Sequence, residues 1–324
     1  MLQTLDDLDA RDDRRPASPA VPSVILCIPT FRRPDGLHKL LKHVSRLQYP
    51  GSLSVIVVDN DGEDRAGAAI ASEMSKTFPF PLSCIVEPKR GQTYAYNRAF
   101  VSACRSLPAT DYVAVLDDDE YPDPAWLSGM MAPALAHHAD IVGGPVLPVF
   151  EDPQHWLARG GFYQPRRFPS GRVDMIYGAG SMLIRRDILE SYLDEPFSHA
   201  FAFTGGSDLE FFTRCRRDRR SFAWADDALV FETTPRARTT VSWLLWRNFR
   251  KGTEGSRIDQ AHNPGIPRRL RRLCRGGVGI AYGILSLPFR VFAGRCAMIA
   301  GLNTAARGAG RIAAEFNILY EEYR

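Results

Sequence analysis

Cysteine is scarce in this 324-residue chain, and its six cysteines (Cys27, Cys84, Cys104, Cys215, Cys274, Cys296) are scattered with no CxxC spacing. That excludes a recognisable zinc cage or disulfide framework and favours a reducing compartment. Cys27 and Cys84 lie in apolar runs and are expected to be small buried residues. A long hydrophobic run is also lacking. The uncharged stretch 276–289 is interrupted by Pro288 and closed by Arg290, too short for the ~20 apolar residues of a membrane span. The opening MLQTLDDLDARDDRRPASPA has no apolar core, so it does not read as a secretory signal, and residues 1–20 are expected to form a poorly ordered tail. No internal repeat is present.

Charge is uneven rather than extreme. Net charge is +4, yet from Arg236 to Arg275 there are eleven Arg/Lys against two acids, Glu254 and Asp259. That segment suits an anionic partner: phosphate, nucleic acid or lipid headgroups. Arginines at 268, 269, 271, 272 and 275 flank the uncharged stretch on one side, and more recur at 290, 295, 307 and 311. This pattern predicts a segment lying at an anionic membrane surface; the alternative is an ordinary buried helix. The Trp243-Leu244-Leu245-Trp246 stretch fits a membrane interface at least as well as nucleic acid, so no nucleic acid partner is expected.

The first half alternates strand and helix. Continuous apolar runs at 23–28, 53–59, 82–87 and 111–116 predict buried strands, and Leu37, Leu40, Leu41, Val44 and Leu47 fall at helical spacing between the first two. Unbroken apolar strands separated by helices indicate a mostly parallel sheet covered on both faces, an α/β fold. Ligands of such sheets sit outside the carboxyl ends of the strands. Strands are further expected at 141–150 and 176–184, with a polar, aromatic loop at 151–174 between them. Helices are expected at 207–217 and 239–251, and helical structure from about 262 onward.

The chemistry-bearing residues gather at those carboxyl ends. Pro29, Thr30 and Arg32 close the first strand, Asp59 the second, and VLDDDEYPDP the fourth. Four adjacent acids repel unless water or a cation offsets them. In an extended Asp-x-Asp, alternate side chains share a face, which pairs Asp117 with Asp119 and turns Asp118 away, as no more than a solvated turn residue. Carboxylate and phosphate oxygens suit Mg²⁺ or Mn²⁺. Glu120 would orient the cluster from behind. Arg90 precedes a helix whose N-terminal amides suit phosphate, and Asn97 lies further along it. Beyond Gly205-Gly206, Asp208 is placed to cap a helix or to act as a general base; Glu210 is a weaker candidate.

The ordered set VILCIPTFRRPDGL, VIVVDND, GQTYAYNRAF, VLDDDEYPDPAWL, GAGSMLIRRDIL and GGSDLEFFTRCRR resembles the family 2 inverting glycosyltransferases of the GT-A (nucleotide-diphospho-sugar transferase) fold. The likeness spans roughly residues 23–251. The later FETTPRARTTVSWLLWRNFRKG resembles the bacterial subgroup that builds exopolysaccharide, the succinoglycan type. The resemblance implies Mn²⁺ or Mg²⁺ held by Asp119, and a nucleoside contacted by Asp117 and Asp59 with Pro29, Thr30 and Arg32 around it. It further implies Asp208 as general base, and Arg247 and Arg250 facing the leaving diphosphate. The family's Glu-Asp pair is here Ser207-Asp208, and the Trp motif of processive relatives is incomplete around Arg247–Arg250, so one sugar per transfer is expected.

The implied donor is a nucleotide sugar, UDP-linked by preference, and the acceptor is lipid-linked or a polysaccharide. The expected organisation is a GT-A domain over 21–251 and a helical, membrane-associating extension over 252–324, at the inner face of the cytoplasmic membrane. Two other classes compete. A nucleotidyltransferase would need a Gly-rich phosphate loop with Lys after the first strand, and IPTFRRPDG has none. A non-catalytic membrane-associated scaffold would not need Asp119 and Asp208, and both are present.

Overall fold

The computed structural model describes residues 21–106 and 110–319; the expected N-terminal tail lies outside them. β1 (Val24–Thr30), β2 (Leu53–Asp59), β3 (Leu82–Val86) and β4 (Tyr112–Leu116) are joined by α1 (Pro34–Val44), α2 (Ala66–Met74) and α3 (Gln92–Ser106). α1 shows why. Pro34 starts it with a preset φ, Asp35 sits in its first turn, and Leu37, Leu40, Leu41 and Val44 bury one stripe against the sheet. Each such side chain contributes about 1.5–3 kcal/mol on burial. β5 (Glu120–Pro122) and α4 (Trp126–His137) follow the acidic cluster.

The second half is more broken. It holds β6 (Ile141–Gly143), β7 (Val146–Phe150), α5 (Trp156–Arg159), β8 (Gly171–Val173), β9 (Ser181–Arg185), α6 (Arg186–Glu190), α7 (Ser207–Arg217), β10 (Phe222–Trp224) and β11 (Val230–Thr234). The main sheet runs β3-β2-β1-β4-β9-β6-β10-β8, and a small sheet runs β5-β11-β7. β1, β2, β3 and β4 are parallel, whereas β9 inserts antiparallel to both β4 and β6. The single strand expected over 141–150 is therefore two strands in different sheets, divided at Gly144-Pro145. The strand expected from 176 begins only at Ser181, after the irregular Gly178-Ala179-Gly180. Cys84 is half-buried rather than buried, while Cys27 is fully enclosed.

Four helices complete the chain: α8 (Val241–His262), α9 (Ile266–Leu285), α10 (Leu287–Phe292) and α11 (Arg295–Glu315). α8 runs straight past Lys251, so the boundary expected there falls inside a helix. α11 lies between α8 and α9. Leu157, Tyr163, Leu244 and Ile299 form a small core that fastens the 151–174 loop to α8 and α11. The α8–α11 crossing is close because glycines occupy it: a Cβ on Gly310 would run into the carbonyl of Phe249, and one on Gly252 into that of Arg307. Backbone cannot yield as a flexible side chain can. Gly310→Val is expected to cost about 1–3 kcal/mol through overpacking, read as a lowered midpoint in thermal unfolding.

Candidate active site

Parallel register brings the strand ends together. Thr30 pairs with Asp59 across β1 and β2, and Cys27 with Val115 across β1 and β4. Past Leu116 the chain leaves the strand in a tight turn. The Asp117 N–H donates to Glu120 Oε2 at 2.9 Å, and the Glu120 N–H to the Asp117 carbonyl at 3.0 Å. The acids are thereby splayed. Asp117 accepts a short hydrogen bond from the Tyr96 hydroxyl of α3. Asp119 pairs with Arg33 Nη1 at 2.9 Å and lies 3.5 Å from Arg238.

Asp118 is not a solvated turn residue. It is 7 % exposed. Its carboxylate accepts from Thr30 Oγ1 (2.8 Å), the Phe31 N–H (3.3 Å) and Arg33 Nη1 (2.9 Å). It ties the end of β4 to the end of β1. Asp118→Ala is expected to cost about 2 kcal/mol, since hydrogen bonds to a buried charge are worth more than neutral ones; an exposed turn residue would stay within about 0.5 kcal/mol. The midpoint shift in urea denaturation separates the two.

An open cavity of about 610 Å³ lies against this edge, lined by Asp117, Glu120, Asp208, Arg247 and Arg250 among others. Asp208 stands in the first turn of α7, after Gly205 and Gly206, both at positive φ. Its Oδ1 accepts its neighbour Leu209's N–H at 2.7 Å. Burial raises its carboxyl above the ordinary range, opposed by backbone hydrogen bonds that include Ala179. Burial also pushes Asp117 up to about 7, with the Asp119 charge adding to it. Glu120 is pushed well up by burial and then by Asp117. A carboxyl group packed under Gly180, where a Cβ would strike its oxygen, fixes the Gly178–Gly180 loop over the acids.

The other expected residues fall elsewhere. Asp59 is 1 % exposed, and its oxygens accept the N–H groups of Asp61 (3.0 Å) and Ala68 (2.9 Å), which caps the start of α2. Arg32, at φ 52°, turns outward to Asp61 and Glu63. Arg90 is exposed, its guanidinium 5.1 Å from the Phe31 ring centre. Pro29 and Thr30 stay within β1. Asn97 is committed to structure: its side-chain amide donates to the Phe197 carbonyl and accepts the Phe197 N–H, both at 2.8 Å. Glu210 is occupied by Arg214, at 3.0 Å to each oxygen, and by His262, so it is not a free base. Residues the sequence reading passed over are Arg33, Tyr96 and Arg238. Tyr96 was readable in principle, one helical turn beyond Gln92 on the α3 face that also lines the cavity.

Among the described residues, no three His, Cys, Asp or Glu side chains converge into a self-sufficient metal cage. Asp117 lines the cavity and is raised by burial and then by adjacent Asp119, which pairs with Arg33 and Arg238; two such neighbouring carboxylates fit a hard divalent cation that takes its remaining oxygens from a phosphate substrate.

A half-parallel sheet with its acids at the carboxyl edge and helices on both faces defines the GT-A class of glycosyltransferase. Residues 25–193 match the family described as glycosyl transferase family 2, and the chain belongs to that family. The succinoglycan biosynthesis protein ExoM of Rhizobium meliloti (strain 1021) is 30 % identical over 239 residues, 72 % of this chain and 74 % of that one. Among solved structures, the mannosyltransferase PcManGT from Pyrobaculum calidifontis, in complex with GDP-Man and Mn²⁺, aligns with a TM-score of 0.54. The match is 17 % identical and covers 92 % of this chain and 88 % of that one. S. aureus TarS 1-349 in complex with UDP-GlcNAc aligns at 0.51, 13 % identical, over 93 % of each chain; of the longer TarS chain the match spans 55 %.

Proposed function

We propose that this glycosyltransferase moves one hexosyl unit from a nucleotide-diphosphate sugar, UDP-linked by preference, to a lipid-linked or polysaccharide acceptor in exopolysaccharide assembly, with inversion. The observation that carries this reading is the cavity itself, which Asp117, Glu120, Asp208, Arg247 and Arg250 line together. Asp208 takes the proton of the acceptor hydroxyl. That oxygen attacks the anomeric carbon from the face opposite the nucleotide, and the sugar–phosphate bond breaks. Arg247 and Arg250 meet the charge on the departing diphosphate. Asp119, beside Asp117, would hold Mn²⁺ or Mg²⁺, which supplies Lewis-acid charge compensation when bound. Burial raises the Asp208 carboxyl, which makes its ionised form a stronger proton acceptor.

Isothermal titration tests the donor side: UDP binds wild type in a Mn²⁺-dependent manner and Asp119→Ala loses that dependence. Asp208→Asn keeps UDP binding but lowers transfer by about 10²–10⁴-fold, the usual worth of a general base. Wild-type transfer rises as pH climbs from acid towards neutral, because only the ionised Asp208 accepts a proton. UDP binding by wild type with no transfer to any acceptor would favour the scaffold reading.

The C-terminal helices support a peripheral membrane location. No described helix is long and apolar enough to cross a membrane. α9 nevertheless carries its small residues inward and its large ones outward. Gly276, Gly279 and Gly283 pack on α11, while Leu285, Phe289 and Phe292 of α9–α10 are 71, 76 and 91 % exposed. With arginines alongside, that face suits the interface of an anionic bilayer. Phe289→Ser with Phe292→Ser is expected to release the protein from phosphatidylglycerol vesicles in a sedimentation assay without changing UDP binding.

A further inference from the structure

The catalytic cavity contains more positive charge than the donor chemistry uses. Lys251 of α8, Arg307 and Arg311 of α11, and Arg166 of the 151–174 loop all line it. Arg238 and Arg250 in the same cavity have carboxylate partners, Glu232 and Asp119 for the first and Glu254 for the second. Lys251, Arg307, Arg311 and Arg166 have none within ion-pair distance among the described residues. Arg307 donates to Asn248 Oδ1 at 3.0 Å, and Arg166 lies 3.9 Å over the Tyr177 ring. Arg307 and Arg311 are one helical turn apart, so both face the same way.

Their electrostatics agree with their positions. Lys251 reaches solvent in the cavity, yet the protein around it and then Arg247, Arg307 and Arg166 push its ammonium down to about 7, with Glu254 opposing. Arg311 is lowered by burial and then by Arg307 and Arg275. Like charges gathered this closely are costly until an anion joins them. Glu232 is held by Arg238, Arg247 and Arg33. The unpaired cations adjoin Arg247 and Arg250 of α8 and extend the cavity's positive wall onto α11 and the 151–174 loop.

Arg311 also lines a second, shallower groove with Arg271, Arg275, Val278 and Tyr282 of α9. Val278 and Tyr282 of that groove are 68 and 58 % exposed and fall at helical spacing with Leu285 on the outer face of α9. Positive charge therefore runs from the transfer cavity to an exposed hydrocarbon-like surface. We propose that Arg166, Lys251, Arg307 and Arg311 form an anion subsite for the phosphate or diphosphate linker of a lipid-linked saccharide acceptor, whose apolar tail lies along α9 and α10. This rests on the transferase reading above and narrows its acceptor to an amphiphile with an anionic linker. The saccharide end would reach Asp208, the linker would sit among the four cations, and the lipid would stay at the bilayer surface. A neutral polysaccharide would leave the cations without a counter-charge.

The test is a titration of the full chain, saturated with UDP and Mg²⁺, with farnesyl diphosphate, a short lipid diphosphate. Farnesol and inorganic diphosphate serve as the two half-ligands. The expected result is binding of farnesyl diphosphate to the UDP-loaded protein, tighter than either half-ligand. Arg307→Gln with Arg311→Gln should weaken it about tenfold or more, as loss of charge-assisted hydrogen bonds implies, with the UDP isotherm unchanged. Lys251→Gln, a replacement of a solvent-reaching side chain, should weaken it severalfold in a protein of unaltered thermal midpoint. The proposal is overturned if farnesyl diphosphate merely displaces UDP, or if the variants bind it as wild type does. Inorganic diphosphate binding as tightly as farnesyl diphosphate overturns the lipid assignment, and farnesol doing so overturns the anion subsite. Failure of UDP to bind at all, with arginine-dependent farnesyl diphosphate binding intact, would sink the donor reading and leave the subsite standing.

Discussion

Charge balance at the end of β4 is the constraint on which the rest of the structure depends. Consecutive carboxylates cannot sit together in a protein wall unless each has its own compensation. The chain solves this by directing them apart. Asp118 turns into the fold and is met by Thr30 and Arg33. Asp119 turns outward against Arg33 and Arg238. Asp117 and Glu120 face the cavity, where burial holds both above the ordinary carboxylate range. The two inward groups are costly alone and become less so when positive charge arrives, so the edge is built to accept it.

Placement of Asp208 follows from the same sheet. β9 enters antiparallel beside β4, and the loop ahead of it, Gly178–Gly180, crosses the acidic turn. Gly180 has room only for a hydrogen over Glu120. The Ala179 backbone, one residue earlier, hydrogen-bonds to Asp208. One short loop thus sets the spacing between Glu120 and Asp208. A change at Gly180 would be felt at both.

The parallel half of the fold was legible because its strands are continuous apolar runs and its helix α1 has a clean stripe. The acidic turn was legible because four adjacent acids after such a strand have few structural uses. The second half was harder for physical reasons. β6, β8 and β10 are three residues each, too short for periodicity to speak, and β9 lies far in sequence from the strand it pairs. Asn97 and Glu210 looked available because sequence shows a side chain but not the distant partner that occupies it: Phe197 lies 100 residues from Asn97, and His262 lies 52 from Glu210. Asp118 was misread for a related cause. Alternation in Asp-x-Asp assumes an extended strand, but the chain turns at Asp117.

The C-terminal helices reverse the usual polarity of a globular surface, and the reversal has one economical cause. In a soluble helix pair the large apolar residues would meet and the glycines would face water. Here the glycines of α9 meet α11, which brings the backbones close, and the large residues face out. Close backbones also carry Arg307 and Arg311 of α11 to the cavity wall beside α8. Had Leu or Phe filled the α8–α11 and α9–α11 crossings, α11 would stand further off and its arginines would miss the cavity. The same glycines that free the apolar face for another surface therefore also position the cations that connect that face to the transfer site.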